Sequence, residues 1–209
     1  MGRYLESKCK LCRRDGMKLF LKGTRCATEK CAFSKRPTPP GMHTRVSSKP
    51  SYYSLQLREK QRAKWMYGML EKQFKRFFKV AVKSKGVTGR TLLQLLERRI
   101  DNVVFRSLFY TSREHARQAV LHGFVLIAGK RVNIPSYLVE EGQTIEIKAK
   151  DTQKKTIKET FEASSKDRSV VPWLEVDNEN LKVKVLRLPE KEDLTLIVNE
   201  QLIVELYSK

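Results

Sequence analysis

Apolar residues recur along this chain at two different periods. Phe74, Phe77, Phe78, Ala81 and Val82 fall at i, i+3, i+4, i+7 and i+8, the spacing of one helix face. The pattern predicts an amphipathic helix with that stripe buried and with Lys72, Lys75, Arg76, Lys79 and Lys83 directed elsewhere. After Gly86, Leu93, Leu96, Ile100, Val103 and Val104 share a stripe and predict one further helix. Residues 51 to about 67 carry helix formers with cations on nearly every face. A helix with so thin an apolar stripe needs a partner other than a protein core.

From Thr111 onward the punctuation is sharper. Thr111-Ser112-Arg113-Glu114 fits a capping box with Thr111 as N-cap and Glu114 at N3. The helix it opens buries Ala116, Ala119 and Val120 and ends at Gly123. Phe124–Ile127 and Val132–Ile134, joined by Ala128-Gly129-Lys130-Arg131, predict a β-hairpin, and Thr144–Ile147 alternates as a strand. Beyond residue 150 a polar helix to about 163 is expected, then short strands at Trp173–Val176 and Lys182–Leu186. Asn199 is a candidate cap for a last helix through Tyr207, although β-branched Ile203-Val204 favour a strand nearly as well.

Charge divides the chain unevenly. The net charge is +20 over 209 residues. Residues 1–50 and 51–100 each hold 13 Lys+Arg against 3 Asp+Glu, residues 101–150 hold 7 against 5, and residues 151–209 hold 10 against 12. The whole excess lies in the N-terminal half, which implies an acidic partner, with nucleic acid first and an anionic membrane surface second. No apolar run approaches the roughly 18 residues that a membrane span needs, and no apolar stretch follows the basic N-terminus. A reducing compartment is therefore expected, where four cysteines favour metal over disulfides.

Cys9-x2-Cys12 and Cys26-x4-Cys31, separated by thirteen residues, form a four-thiolate pattern with the short pair spacing of structural zinc sites. One structural Zn2+ is expected, because a basic arm of about 35 residues with few apolar groups cannot fold on its own core. Lys8, Lys10, Arg13 and Arg14 are expected to keep the thiolates ionised. Buried free thiols, a disulfide pair and an iron–sulfur cluster are the alternatives. Four protein ligands leave no open position for catalysis.

In the helix after Ser112, Arg113 and Arg117 are i,i+4 neighbours, as are Gln118 and His122, and both pairs lie outside the apolar stripe. Arginine suits phosphate because its planar fork donates in pairs. Lys130 and Arg131 on the hairpin extend the same surface.

Ser112-Arg113-Glu114-His115-Ala116-Arg117-Gln118-Ala119-Val120-Leu121-His122-Gly123, with Gly129-Lys130-Arg131-Val132 and Pro135-Ser136-Tyr137, resembles the S-four RNA-binding motif. Further likeness runs from Met1-Gly2-Arg3-Tyr4 through Pro39-Pro40-Gly41 with His43, Leu55-Gln56-Leu57-Arg58-Glu59-Lys60-Gln61, Leu95–Val104 and Pro172-Trp173-Leu174 to Asn199-Glu200-Gln201-Leu202. End to end, the chain resembles the S-four family of bacterial-type small-subunit ribosomal proteins, in its four-cysteine, zinc-bearing variety. Departures are local. Met42 and Thr44 flank His43, Tyr52 replaces a usual Asp, Ile197 a usual Pro, and Ala128 stands where Asn precedes the turn Gly. Ala128 disfavours a type I′ turn and favours a type I turn with Gly129 in a bulge.

The resemblance implies an α+β fold. Residues 1–42 form a zinc-knuckle arm and linker, residues 43–95 with 187–209 a helical domain, and residues 96–186 an inserted domain carrying the motif at 98–160. It implies a structural constituent of the small ribosomal subunit, not an enzyme and not a homo-oligomer. Such a protein binds small-subunit (16S-type) rRNA, nucleates its 5′ domain, contacts the fifth small-subunit protein and the mRNA where it enters the subunit, and influences accuracy. Its place is a cytoplasmic or an organellar ribosome. Candidate RNA contacts are Arg3, Lys8, Lys10, Arg13, Arg14, Lys22, Arg25, Lys35, Arg36, His43 and Arg45 in the arm and linker. Tyr53, Arg58, Lys60, Arg62, Lys64 and Arg76 follow in the first helices. Ser112, Arg113, Arg117, Gln118, His122, Lys130, Arg131 and Tyr137 complete the set in the motif. The competing classes are an RNA-modifying enzyme, for which no residues remain to build a catalytic domain, and a free-standing RNA chaperone or repressor.

Overall fold

The computed structural model describes residues 2–42, 49–190, 192–193 and 198–208. The chain divides into two compact units, Met1–Leu92 with Leu196–Lys209, and Leu93–Thr195. The sequence reading draws these boundaries at 95/96 and 186/187 and sets residues 1–42 apart.

The first unit begins with α1 (Lys8–Asp15), a 3-10 turn at Gly23–Cys26 and α2 (Ala32–Lys35). Leu11, Cys12 and Leu19 are buried there with Tyr4, Met17, Leu21 and Phe33, and Trp65 and Met66 of α3 (Tyr52–Met66) complete the cluster. The arm thus shares a core with α3.

That helix corrects an expectation. Despite its thin apolar stripe, α3 finds a protein partner in α9 (Glu200–Tyr207). Tyr52 Oη and Gln56 Nε2 (3.0 Å) donate to Glu205, and Glu59 accepts from the Asn199 backbone N–H at 3.0 Å. Asn199 caps α9 by accepting from Gln201 and Leu202, which settles that segment as helix. In α4 (Glu71–Lys83), Phe74, Phe77, Phe78 and Ala81 are buried as the stripe predicts, but Val82 is 55% exposed. Tyr207 of α9 stacks on Phe78 at 4.5 Å and donates to Glu71 at 2.8 Å. Burial and that carboxylate push its phenol pKa far above the usual range.

α5 (Thr88–Glu97) carries the chain into the second unit. The single helix expected through Val104 breaks at Arg99, whose ψ of 135° is extended, and α6 (Ile100–Arg106) restarts after it. The five stripe residues are nevertheless all buried. α7 (Arg113–Leu121) is capped by Ser112, which accepts from His115 N–H at 3.2 Å, one residue later than the Thr111 box implies. β1 (Val125–Ile127), β2 (Lys130–Val132), β3 (Thr144–Ile147), β4 (Leu174–Asp177) and β5 (Lys182–Val185) form one antiparallel sheet in the order β2-β1-β3-β5-β4. The late strands therefore extend the hairpin's sheet. With α8 (Asp151–Asp167) they enclose a core that includes Trp173, Ile145, Val183 and Ile157.

The hairpin is tighter than the sequence suggests. Ile127 pairs with Lys130, leaving a two-residue turn with Ala128 at φ 48° and Gly129 at φ 76°. Both angles are positive, as in a type I′ turn, whose twist matches the flanking strands. Ala128 therefore holds a left-handed conformation that costs an alanine about 1–2 kcal/mol. Ala128→Asn is expected to stabilise the second unit by about 0.5–1 kcal/mol, read as a raised denaturation midpoint. An unchanged or lowered midpoint counts against the turn assignment.

Candidate nucleic-acid interface

The exposed cations are not distributed as the candidate residues imply. Lys72, Lys75, Arg76, Lys79 and Lys83 stand at i, i+3, i+4, i+7 and i+11 on the outward face of α4, all exposed. At about 1.5 Å rise per residue they span roughly 16 Å. None makes an ion pair among the described residues. Of these five only Arg76 belongs to the candidate set, because the buried phenylalanine stripe draws the eye first. Arg3, Lys10, Arg14, Lys22, Arg25, Lys35, Arg36, Arg58 and Lys130 are exposed, as is Tyr53 at 57%. Lys10 and Arg14 are i,i+4 neighbours on α1.

Other candidates are engaged within the protein. Lys8 donates to the Tyr4 carbonyl at 2.8 Å, and Arg13 to the carbonyls of Thr38 and Pro39 at 2.8 and 3.2 Å. Arg62 bonds Asp15 at 2.8 Å and also pairs with Glu59, while Lys60 and Lys64 meet Glu71 at 2.7 and 3.2 Å. His43 and Arg45 lie outside the described residues.

The motif's arginines build the fold. Arg117 is 5% exposed and donates through Nη1 to Asp101 Oδ2 at 3.0 Å. The same carboxylate takes a two-pronged bond from fully buried Arg99, at 3.0 and 2.5 Å. Arg113 donates to Asn102 Oδ1 at 2.8 Å and lies 4.5 Å from the Phe105 ring centroid. Asn102 in turn donates to Glu97 at 2.6 Å, and Arg106 grips Glu97 at 3.1 and 2.7 Å. Arg131 donates to the carbonyls of Gly123 at 2.9 Å and His122 at 2.6 Å. A Cβ at Gly123 would meet that guanidinium at 1.8 Å, so the helix end and the hairpin cation fix one another. The paired-arginine phosphate clamp expected on α7 is thus partly internal. Gln118, His122 and Lys130 are exposed, whereas Ser112 and Tyr137 are half-buried.

In the arm, Cys9 and Cys12 sit on α1, Cys26 ends the 3-10 turn, and Cys31 caps α2. Cys12, Cys26 and Cys31 are buried, and Cys12 feels the charge of the other three thiols. Backbone N–H groups point at the sulfurs: Leu19 at Cys12, Lys22 at Cys26 (3.4 Å), and Phe33 and Ser34 at Cys31. Burial holds the Cys12 and Cys26 thiols above the usual value. At Cys31 burial also acts upward, but the donors from Ser34 and Phe33 with nearby Lys18 outweigh it and the pKa is lowered. Lys22 and Lys18 are cations acting on Cys26 and Cys31. Among the described residues no group of three or more His, Cys, Asp or Glu side chains is arranged to hold a metal ion as it stands.

Two family models match the chain: "Ribosomal protein S4/S9 N-terminal domain" over residues 3–97 and "S4 domain" over residues 98–145. Proteins named "Small ribosomal subunit protein uS4" from Dictyoglomus turgidum and Thermodesulfovibrio yellowstonii are each 54% identical over 209 residues, covering 100% of both chains. The one from Caldicellulosiruptor saccharolyticus is likewise 54% identical over the full length of both.

Proposed function

Since the chain belongs to the uS4 family of small ribosomal subunit proteins, a family of structural proteins and not of enzymes, we propose that it binds small-subunit rRNA as a primary assembly protein. The observation that carries this reading is the exposed cation stripe of α4, in a half-chain whose positive excess is unmatched by carboxylates. Cations so placed neutralise phosphates and release counterions. A-form grooves hide base edges, so specificity falls to the shape of a folded junction. The same reading has the protein nucleate the 5′ domain, meet the fifth small-subunit protein, approach incoming mRNA and influence accuracy, in the bacterial cytoplasm. Stoichiometric co-sedimentation with the small subunit in moderate salt is the expected result. A chain that stays at the top of the gradient refutes it and leaves a free RNA chaperone.

We further infer that Cys9, Cys12, Cys26 and Cys31 hold one structural Zn2+. Backbone N–H groups aimed at three of the sulfurs suit thiolates far better than neutral thiols, which are weak acceptors. Ion binding requires the four side chains to close together, as expected where metal binding and folding are coupled. Bound zinc would cross-link α1 to the loop that follows and leave no position for substrate. Chelation, or Cys9→Ser with Cys12→Ser, is expected to strip hydrogen-exchange protection from the Leu19, Lys22 and Phe33 amides while that of Val183 persists. Unchanged protection in the arm contradicts the zinc assignment.

A further inference from the structure

Within the second unit, α7 and α8 border a cavity of about 380 Å³. Phe109, Tyr110, Ala119 and Ile157 are its buried lining. The exposed lining is polar. His115, Gln118 and His122 follow one another at i, i+3 and i+7 on α7, facing Thr152, Gln153 and Thr156 of α8. Among the described residues no lysine, arginine or carboxylate lines it.

That composition selects a ligand class. A phosphate would need cations, which the lining lacks, and a purely apolar group would leave the amides and imidazoles without partners. A flat heteroaromatic group suits both parts, stacking on aromatic rings while its edge bonds to amide, hydroxyl and imidazole groups. The volume falls within the roughly 300–1,000 Å³ typical of small-ligand pockets. The rim is also held in place. Tyr110 meets the His115 ring edge-on at 4.8 Å, and His122 stacks on Phe124 at 5.9 Å with 28° between planes. Partial desolvation of its ring lowers the pKa of His115, which favours a neutral ring with one donor and one acceptor nitrogen.

We propose that this cavity receives an unpaired nucleobase of the bound RNA, with Gln118, Gln153 and the two imidazoles meeting its edge. This rests on the RNA-binding reading above and adds recognition of a base to the proposed phosphate contacts. Gln118 and His122 thus act on a base rather than on the backbone.

The test uses the full chain and two measurements. Adenosine, guanosine, cytidine and uridine, which carry no phosphate, are titrated while the ring signals of His115 and His122 and the amide signals of Gln118 are followed by NMR. At least one nucleoside is expected to shift these signals saturably and independently of salt, and Thr156→Phe, at an exposed position bordering the cavity, to abolish the shift. If none of the four nucleosides moves them in the unaltered chain, the proposal is overturned. In the second measurement Thr156→Phe is expected to weaken rRNA binding about tenfold, the scale of one lost stacking contact, with the salt slope unchanged. A folded Thr156→Phe chain that binds rRNA at full strength also overturns it. Should the unaltered chain show no preference for rRNA, the functional reading fails by itself, and the nucleoside titration still decides the cavity.

Discussion

Replacing Asp101 with alanine is expected to destabilise the Leu93–Thr195 unit by about 3–5 kcal/mol, because it removes a buried carboxylate that two buried guanidinium groups share. Arg99, at the start of α6, and Arg117, on α7, converge on Asp101 at 2.5–3.0 Å. All three residues are 5% exposed or less. Water cannot reach in to replace the lost partner, so the loss exceeds that of any surface pair in this chain. The chain has two tryptophans, and Trp173 is 1% exposed in this unit. In a Trp65→Phe background its emission therefore follows this unit's unfolding. A midpoint within about 0.5 kcal/mol of the parent would mean that Asp101 is not the counter-charge of a buried pair. Arg117→Ala is expected to act in the same direction, through stability, and to leave the salt dependence of RNA binding where it was.

The second large effect lies on α4. Changing Lys72, Lys75, Arg76, Lys79 and Lys83 together to glutamine is expected to lower the slope of log affinity against log salt by about four units. Each neutralised phosphate on double-stranded nucleic acid contributes about 0.9. At low salt, affinity for small-subunit rRNA should fall by at least about a hundredfold. The five side chains are exposed and make no ion pair among the described residues, so the helix should keep its stability. A variant that folds and binds with the parental slope would mean that the stripe is a solvated face and that the phosphates lie elsewhere.

The contrast between these two predictions marks what the sequence can disclose. Local periodicity makes the Phe74/Phe77/Phe78 face legible, while cap chemistry offers Asn199 as a helix start that β-branched Ile203-Val204 leave open until the structure settles it. Turn chemistry places the hairpin but not its tightness, because the pairing of Ile127 with Lys130 forces Ala128 into a region its side chain disfavours. The break at Arg99 is invisible to periodicity, since the apolar stripe runs straight through it. What ends the helix is a buried charge pair and a bridge from Arg99 to Leu138, 39 residues on in the chain. Cations pose the same difficulty. Arg117 and Lys79 read alike along the chain, yet one faces Asp101, sixteen residues back, and the other faces water. Only long-range contacts separate a structural arginine from a lysine left free to meet phosphate. The cavity between α7 and α8 escapes for a related reason, because its two walls come from helices separated along the chain by three strands.

The most direct measurement is the binding of the purified chain to naked small-subunit rRNA across a salt series, with an unrelated structured RNA as competitor. Tight, steeply salt-dependent binding confined to the 5′ domain and surviving the competitor is the predicted result. Equal affinity for both RNAs would contradict a primary assembly role and leave only a basic protein that binds RNA by charge.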